Sequence, residues 1–368
     1  MQISDKTMML VKTEQKCIGC KACMKGCPML DKFCENPKDL LKELLDHGEY
    51  LYEMPYSCLL CGYCEEVCPV DVSFKTLFLE LRRDLVSETH GNLPKEINQK
   101  SVEFHQHFSF SRLFTSDIQE LQSDTVFFPG CALISYSPKL VEDTLGYLRE
   151  LSPGIGYYNK CCGKPTRFMG DEHQFHRYYS SLAEEFDKKG IHRIITGCQN
   201  CFKTLQENSP GLEIISLWEY LGEKGIPKDR LGIARDLDLA VTLHDPCPTR
   251  DETRIHDGAR KILDQLGLDF QEMPDNRERT LCCGSGGMVP VTQNHIAREH
   301  MSRRASEAET DHIVTYCQEC VESMRRGGKK SWHLLDLIFN ERFQEIPQEN
   351  SSGLTRWKNR FEGKKIRL

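Results

Sequence analysis

The sequence has no long apolar run, although 39% of its 368 residues are hydrophobic. A membrane-spanning helix needs about 20 consecutive apolar residues, so the sequence predicts no such helix. The first 13 residues also lack the apolar core and the cleavage site of a secretory signal peptide. Both absences favour a soluble globular protein, and we expect a cytoplasmic one.

Positive charge is also scarce, because 48 Lys and Arg residues face 55 Asp and Glu residues, for a net charge of −7. This balance argues against nucleic acid as a partner. The glycine-rich stretch 284–287 lacks the third glycine of a dinucleotide-binding fingerprint, and we find no phosphate-binding loop. We therefore expect neither flavin nor nicotinamide in this chain.

Cysteine, in contrast, is abundant: the chain has 19 cysteines, an odd number. Their density is below that of a small disulfide-stapled domain. Clustered CxxC spacings in a large chain without an export signal are typical of metal binding. The cysteines therefore predict metal centres rather than disulfide bonds.

Near the start of the chain the pattern CxxCxxCxxxCP occurs twice. The first CP motif consists of Cys17, Cys20, Cys23 and Cys27, and the second CP motif of Cys58, Cys61, Cys64 and Cys68, each followed by proline. Three thiolates on one tight loop can bind three irons of a cubane cluster, and the fourth ligand must come from elsewhere. Two structural zinc sites are the alternative, which the two complete copies with their prolines disfavour.

The two CP motifs resemble the double 4Fe–4S ferredoxin motif, in which the fourth cysteine of each run binds the other cluster. The resemblance assigns one cubane cluster to Cys17, Cys20, Cys23 and Cys68, and the other to Cys58, Cys61, Cys64 and Cys27. Leucine and phenylalanine at helical spacing in 39–46 and 74–85 predict flanking helices. This arrangement resembles the helical ferredoxin domain of respiratory iron–sulfur subunits, so we expect residues 1–95 to form an all-helical domain. We interpret Cys34 as a buried small hydrophobic residue.

Residues 96–123 form a polar linker with four phenylalanines, which we expect to pack across the following domain. A partner-docking surface is the alternative. The chain ends in a basic tail, residues 346–368, with six Lys and Arg against one Glu after residue 353. We expect a solvated, frayed end; docking to a partner subunit or to an anionic membrane is the alternative.

Ten further cysteines form two sets of five. The first cysteine set is Cys131, Cys161, Cys162, Cys198 and Cys201, and the second cysteine set is Cys247, Cys282, Cys283, Cys317 and Cys320. Each member recurs 116 to 121 residues later, which indicates an internal duplication. Five cysteines exceed the four ligands of a zinc site or a cubane cluster. Gly163 and Gly284, which follow the cysteine pairs, are expected to take a positive φ or to approach the metal closely.

Strands alternate with helices in both halves of this duplication, which predicts an α/β fold with parallel sheets. We assign the first repeat to residues 124–235 and the second to 236–345. Predicted strands end just before Cys131, Cys198, Cys247 and Cys317. Open α/β sheets place their ligands at such strand ends.

The pattern of one cysteine, then CCG, then CxxC, present twice, resembles the catalytic subunit of heterodisulfide reductase. In that family each five-cysteine set holds one non-cubane 4Fe–4S cluster, and both clusters face a shared cavity where a disulfide is split. The fusion to a ferredoxin domain also resembles the iron–sulfur subunits of glycolate and anaerobic glycerol-3-phosphate dehydrogenases. The resemblance covers about residues 10–340.

The resemblance implies an anaerobic iron–sulfur oxidoreductase subunit that passes electrons between a partner and a small thiol/disulfide couple. It assigns catalysis to the ten cysteines of the two sets, and the partner would be a flavoprotein or a cytochrome b type protein, through which the chain could sit at the inner face of a membrane. One alternative is a pure electron relay for a flavin-dependent hydroxy-acid or glycerol-3-phosphate dehydrogenase. Another is an assembly or redox-sensing protein that uses its clusters structurally.

Reduction of a disulfide needs protons as well as electrons. His244, three residues before Cys247, is our first candidate for a proton donor, and Lys164, after the first cysteine pair, is the second. The alternative for His244 is a capping or core histidine.

Overall fold

The computed structural model describes residues 1–367 of the chain. The N-terminal part is helical and carries both CP motifs. Its helices are α1 (Asp5–Glu14), α2 (Pro28–Phe33), α3 (Pro37–His47), α4 (Glu53–Ser57), α5 (Tyr63–Glu66) and α6 (Phe74–Glu88). Leu40, Leu41 and Leu44 of α3 and the apolar stripe of α6, from Phe74 to Leu81, are buried in this part's core. No helix of residues 1–367 is both long and apolar enough to span a membrane.

Each of the two repeats contains one four-stranded sheet in which all strands are parallel. The strands are β1 (Thr125–Phe128), β2 (Gly156–Tyr157), β3 (Arg193–Thr196), β4 (Glu213–Ser216), β5 (Val241–His244), β6 (Phe270–Glu272), β7 (His312–Thr315) and β8 (Lys330–His333). Their orders are β2-β1-β3-β4 and β6-β5-β7-β8, which is the same topology twice. The predicted fold class, a helical domain followed by a duplicated parallel α/β unit, is confirmed.

Helices connect the strands, as parallel pairing requires. In the first repeat they are α8 (Cys131–Tyr136), α9 (Pro138–Leu151), α10 (Lys164–Phe168), α11 (Glu172–Lys189), α12 (Gln199–Asn208) and α13 (Leu217–Lys224). In the second they are α14 (Thr253–Leu266), α15 (Val289–Thr292), α16 (Asn294–Ser306), α17 (Gln318–Arg326) and α18 (Leu334–Phe339). One large apolar core runs through both repeats, since α13 and α14 pack closely at Gly222 and Gly258, where a Cβ on either glycine would meet backbone of the other helix.

The linker and the tail form two further helices, α7 (Gln99–Phe110) and α19 (Gly353–Gly363), which pack together over the first repeat. Trp357 of α19 lies 4.7 to 6.0 Å from the rings of Phe104, Phe108 and Phe114. Ile366 is 6% exposed. The expectation of a frayed, solvated tail is wrong for residues 353–366, because apolar residues between the basic ones give this helix a face that packs.

A buried ionic network supports the loop that leads from β5 to Cys247. The carboxylate of Asp245, fully buried, accepts hydrogen bonds from Arg260 at 2.8 and 3.0 Å and from the Tyr316 hydroxyl at 2.7 Å. Burial alone would raise the pKa of Asp245, but the hydrogen bonds and charge of Arg260, together with His256 and Tyr316, outweigh it and lower the pKa to about 2. The aspartate is therefore charged and fully paired at neutral pH.

We predict that Asp245→Ala lowers the free energy of unfolding by about 3–5 kcal/mol, because it leaves the charge of Arg260 buried with less compensation. Asp257→Ala, which removes a half-exposed partner of Arg277, serves as the control and should cost about 0–1 kcal/mol. Anaerobic denaturant unfolding measures both. Equal losses in the two variants would contradict this role of Asp245.

Candidate functional site

The carboxyl ends of neighbouring strands bring each cysteine set together. In the first repeat β2, β1 and β3 are adjacent, and the segments that follow them supply Cys161 with Cys162, Cys131, and Cys198 with Cys201. The second repeat does the same with β6, β5 and β7. Parallel strands end at one edge of the sheet, so residues far apart in sequence meet there.

The sulfurs within each set are close but not bonded. Cys131 Sγ lies 3.8 Å from Cys161 Sγ, and Cys247 Sγ lies 4.0 Å from Cys282 Sγ. A disulfide bond is about 2.05 Å long, and all 18 cysteines of the motifs and sets, with Cys34, are free thiols. The sequence expectation of thiols rather than disulfides therefore holds in the described chain.

Interactions within each set divide the adjacent cysteines into one acidic and one weakly acidic thiol. Hydrogen bonds with Cys131 and Cys162 lower the pKa of Cys161, and those with Cys282 and Cys320 lower the pKa of Cys283. A hydrogen bond with Cys161 raises the pKa of Cys162, and hydrogen bonds with Cys247 and Cys283 raise the pKa of Cys282. Thiolates are the form that binds iron, so each set is prepared for a metal.

Gly163 and Gly284 both take a positive φ, of 82° and 100°, as expected. A Cβ on Gly284 would lie 2.6 Å from Met301 Cγ, and one on Gly163 would lie 3.2 Å from the Phe175 ring. These neighbours belong to α16 and α11. The close approach at the two glycines is therefore to a packed helix and not to the thiols.

The last cysteine of each CP motif lies near the first three cysteines of the other motif. Burial and then the proximity of Cys17 raise the pKa of Cys23 to about 12, with Cys68 contributing. Burial raises the pKa of Cys64 too, and there the neighbours are Cys58, Cys61 and Cys27. Small hollows lie at both groups, and Cys64 borders each of them.

The second CP motif touches the second cysteine set. A hydrogen bond with Cys282 lowers the pKa of the Cys61 thiol to about 6. His300, which α16 places in the same region, is 5% exposed, and burial lowers its pKa to about 4. The helical domain and the second repeat therefore meet thiol to thiol.

A cavity of about 710 Å³ opens at this junction and is lined by all five thiols of the second cysteine set. Cys61 and Cys68 border it from the helical domain, and Lys164 and Lys203 from the first repeat. No thiol of the first cysteine set lines this cavity. The family resemblance led us to expect thiols of both cysteine sets along one shared cavity. In the structure, of the two sets, only the second has thiols that line this cavity.

His244 reaches the second cysteine set from behind and does not line the cavity. The side chain is fully buried, and its Nδ1 accepts a hydrogen bond from Arg304 Nε at 3.3 Å. Its ring lies within 4.8 Å of the sulfurs of Cys283 and Cys320, and Nε2 has no hydrogen-bond partner within residues 1–367. Because burial lowers its pKa, the ring is neutral and can direct an N–H at these sulfurs.

The first cysteine set is covered by the linker helix. Gln106 Nε2 donates to Cys161 Sγ at 3.4 Å, and His105 lies within 4.8 Å of the sulfurs of Cys131 and Cys161. The sequence analysis missed both residues, because nothing in the linker pattern indicates which repeat it contacts.

Two glutamines inside the CxxC pairs were also missed. Gln199 and Gln318 are buried, and the Nε2 of each has no hydrogen-bond partner in the described chain. Their recurrence at the same 119-residue offset as the cysteines was visible in the sequence. Both lie in the first turn of the helices that present the CxxC cysteines.

The donor chemistry fits iron–sulfur clusters. Sulfur donors dominate every group, neighbouring thiols lower the pKa of Cys161 and of Cys283, and the nitrogen His244 Nε2 is buried without a partner in residues 1–367. Outer N–H donors of this kind tune such clusters.

Comparison with protein families agrees with this chemistry. The family model described as a 4Fe-4S dicluster domain matches residues 9–74. The model of the cysteine-rich domain called CCG matches residues 125–206 and again 241–325. This chain joins a 4Fe-4S dicluster domain to a duplicated CCG domain. The predicted resemblance to heterodisulfide reductase-type iron–sulfur subunits is thereby confirmed.

Several curated relatives carry oxidoreductase names. The chain is 24% identical over 326 residues to one subunit of the dihydromethanophenazine:CoB–CoM heterodisulfide reductase of Methanosarcina mazei, covering 80% of this chain and 76% of the relative. It is 25% identical over 368 residues to one subunit of the fumarate reductase (CoM/CoB) of Methanothermobacter marburgensis, covering 88% and 71%. It matches the EtfAB:quinone oxidoreductase of Syntrophomonas wolfei at 23% identity, over 75% of this chain and 44% of that longer protein. The chain is thus an iron–sulfur oxidoreductase subunit.

We predict that Cys27→Ser lowers the iron content by up to about four atoms per chain, because it removes a ligand of a 4Fe–4S cluster. Cys34→Ser is the matched control: Cys34 is half-buried and its thiol donates to the Leu30 carbonyl at 3.4 Å. We expect it to keep the full iron content. Anaerobic iron and sulfide analysis decides, and equal iron in the two variants would refute the assignment of Cys27.

Proposed function

We propose that the chain is the heterodisulfide reductase-like subunit of a larger complex that reduces, or forms, a disulfide of small thiols. Cys17, Cys20, Cys23 and Cys68 would hold one cubane cluster, and Cys27, Cys58, Cys61 and Cys64 the other. The first and second cysteine sets would each hold a non-cubane cluster. When bound, these clusters supply one-electron transfer between a partner protein and the disulfide.

The observation that carries this proposal is the contact of Cys61 with Cys282 at the wall of the cavity. It brings the helical domain's thiols against a five-cysteine set to which a small molecule has access. The overall reaction would join one disulfide, two electrons and two protons to give two thiols. The electrons would come from a partner protein, a flavoprotein or a cytochrome b type protein, which could also place the complex at the cytoplasmic face of a membrane.

The residues around the cavity have separate roles in this proposal. Lys164 faces the cavity and has no hydrogen-bond or ion-pair partner among residues 1–367, so its charge is available to a thiolate product. His244 holds Cys283 by directing Nε2–H at it, while Arg304 fixes the ring from the other side. Lys164 is therefore better placed than His244 to meet a substrate.

An electron relay is the second candidate. It is favoured by the similarity to the EtfAB:quinone oxidoreductase and by the absence of the first cysteine set from the cavity lining. In that case a separate flavoprotein would oxidise a hydroxy acid or glycerol phosphate, and this chain would pass the electrons toward a quinone-linked partner.

Electron paramagnetic resonance of the anaerobic, oxidised protein, with and without small thiols, separates the two candidates. A new signal that appears only with thiol would support disulfide chemistry, since a thiolate would then bind a cluster iron. A full iron content without any thiol-dependent signal would refute it and leave the relay.

We predict that His244→Ala keeps its iron and loses about 10- to 100-fold in disulfide reductase activity, the usual cost of removing a partner of a metal ligand. His312→Ala is the control, since His312 lies at the start of β7 and stacks on Trp332 at 5.0 Å, remote from the cavity lining. Turnover of His244→Ala equal to that of the control would show that His244 is only a core residue.

A further inference from the structure

The C-terminal helix α19 carries a buried cation, Arg360, that is 2% exposed. Its Nη1 donates to Ser109 Oγ at 2.7 Å, and the guanidinium lies 5.0 Å from the centre of the Trp357 ring. Nη2 has no hydrogen-bond partner within residues 1–367, and no carboxylate of that part of the chain pairs with Arg360. The positive charge of Arg360 is thus buried without a carboxylate to balance it.

An uncompensated buried charge costs several kcal/mol, so buried arginines are normally paired. Arg304, equally buried beside the second cysteine set, shows the normal case, since its Nη1 binds Glu307 at 2.6 Å. Arg260 likewise pairs with Asp245. Arg82, which is also buried, has no carboxylate but donates four hydrogen bonds to backbone carbonyls. Arg360 has neither kind of compensation, which leaves its charge to be balanced by another source.

The first cysteine set lies beside this helix. Helix α19 packs along α8, whose first residue is Cys131, and Asn359 fixes it by donating to the carbonyl oxygens of Ser135 and Tyr136 at 2.8 and 3.1 Å. Arg360 Nη1 also donates to Ser109 of α7, and Gln106, one turn earlier in α7, donates to Cys161 Sγ at 3.4 Å. The buried guanidinium therefore lies on a helix that packs against both α7 and α8, the two helices that reach the first set.

We propose that Arg360 is the counter-ion of the first cysteine set in its cluster-bound form, and that this charge pair locks the C-terminal helix over the set. The inference rests on the proposed function, because it needs a thiolate-bound iron–sulfur cluster at the first set. The proposal makes α19 part of the redox centre. The positive charge of Arg360 stabilises the reduced cluster, and binding of the cluster fixes α19 over the first set.

The first test compares Arg360→Gln, Arg360→Lys and Lys358→Gln in anaerobic protein with full iron. Lys358 is on the same helix, with its side chain 74% exposed, so its variant loses the same charge away from the set. In redox titrations followed by paramagnetic resonance, Arg360→Gln should shift one cluster to a more negative midpoint potential. Arg360→Lys should shift it less, and Lys358→Gln should match the unmodified protein.

The shifted signal must be the one that the double variant Cys131→Ser/Cys161→Ser lacks. Titrations of Arg360→Gln and Lys358→Gln that coincide with that of the unmodified protein would overturn the proposal. A shift confined to the other clusters would overturn it too, since Arg360 would then act only through general charge.

The second test needs no substitution of Arg360. Cys131→Ser/Cys161→Ser empties the first set, and Cys247→Ser/Cys282→Ser empties the second. Trypsin should cleave the first variant in the tail, after Arg356 or Lys358, at least ~10-fold faster than the second, because only the first loses the counter-charge of Arg360. Equal cleavage in the two variants would contradict the proposal.

Iron analysis of the same variants distinguishes an error in the proposed cluster at the first set from an error in the proposed role of Arg360. If Cys131→Ser/Cys161→Ser retains all its iron, the proposed cluster at the first set is wrong. If it loses iron but its tail stays as protected as that of the second-set variant, the proposed function stands and only the role of Arg360 is wrong.

Discussion

The structure depends on bringing many thiols close together without joining them. Ten of the cysteines come from loops at the carboxyl ends of adjacent parallel strands, three strands for each set. This geometry places sulfurs 3.8 to 4.0 Å apart from residues that are 30 or 35 positions apart in the chain. Thiolates so close repel one another, so a bound metal or nearby cations must balance their charge.

The duplication has produced two sets with the same backbone plan and different surroundings. The second set faces the cavity and touches the helical domain through Cys61. The first set lies under α7, whose Gln106 donates to Cys161, and beside α19, which carries the buried Arg360. The cavity thus opens to the thiols of one set and not to those of the other, although the spacing of the cysteines is nearly the same in both.

Buried charge is treated differently around the two sets. Near the second set Arg260 pairs with Asp245 and Glu272, and Arg304 pairs with Glu307. The cation near the first set, Arg360, has no carboxylate partner within residues 1–367. Because buried charges need partners, side chains balance the charges near the second set, and we propose that the cluster of the first set balances Arg360.

The sequence by itself determined the thiol groups, the helical domain and the parallel α/β class, because ligand spacing and strand–helix alternation are local properties. It also placed the strand ends before Cys131, Cys198, Cys247 and Cys317. Only the tertiary structure decided the contact of Cys61 with Cys282, the one-sided cavity and the burial of the tail. These depend on which surfaces meet across more than 200 residues of chain, and a basic, apolar segment such as 353–366 has the same local pattern whether it is solvated or packed.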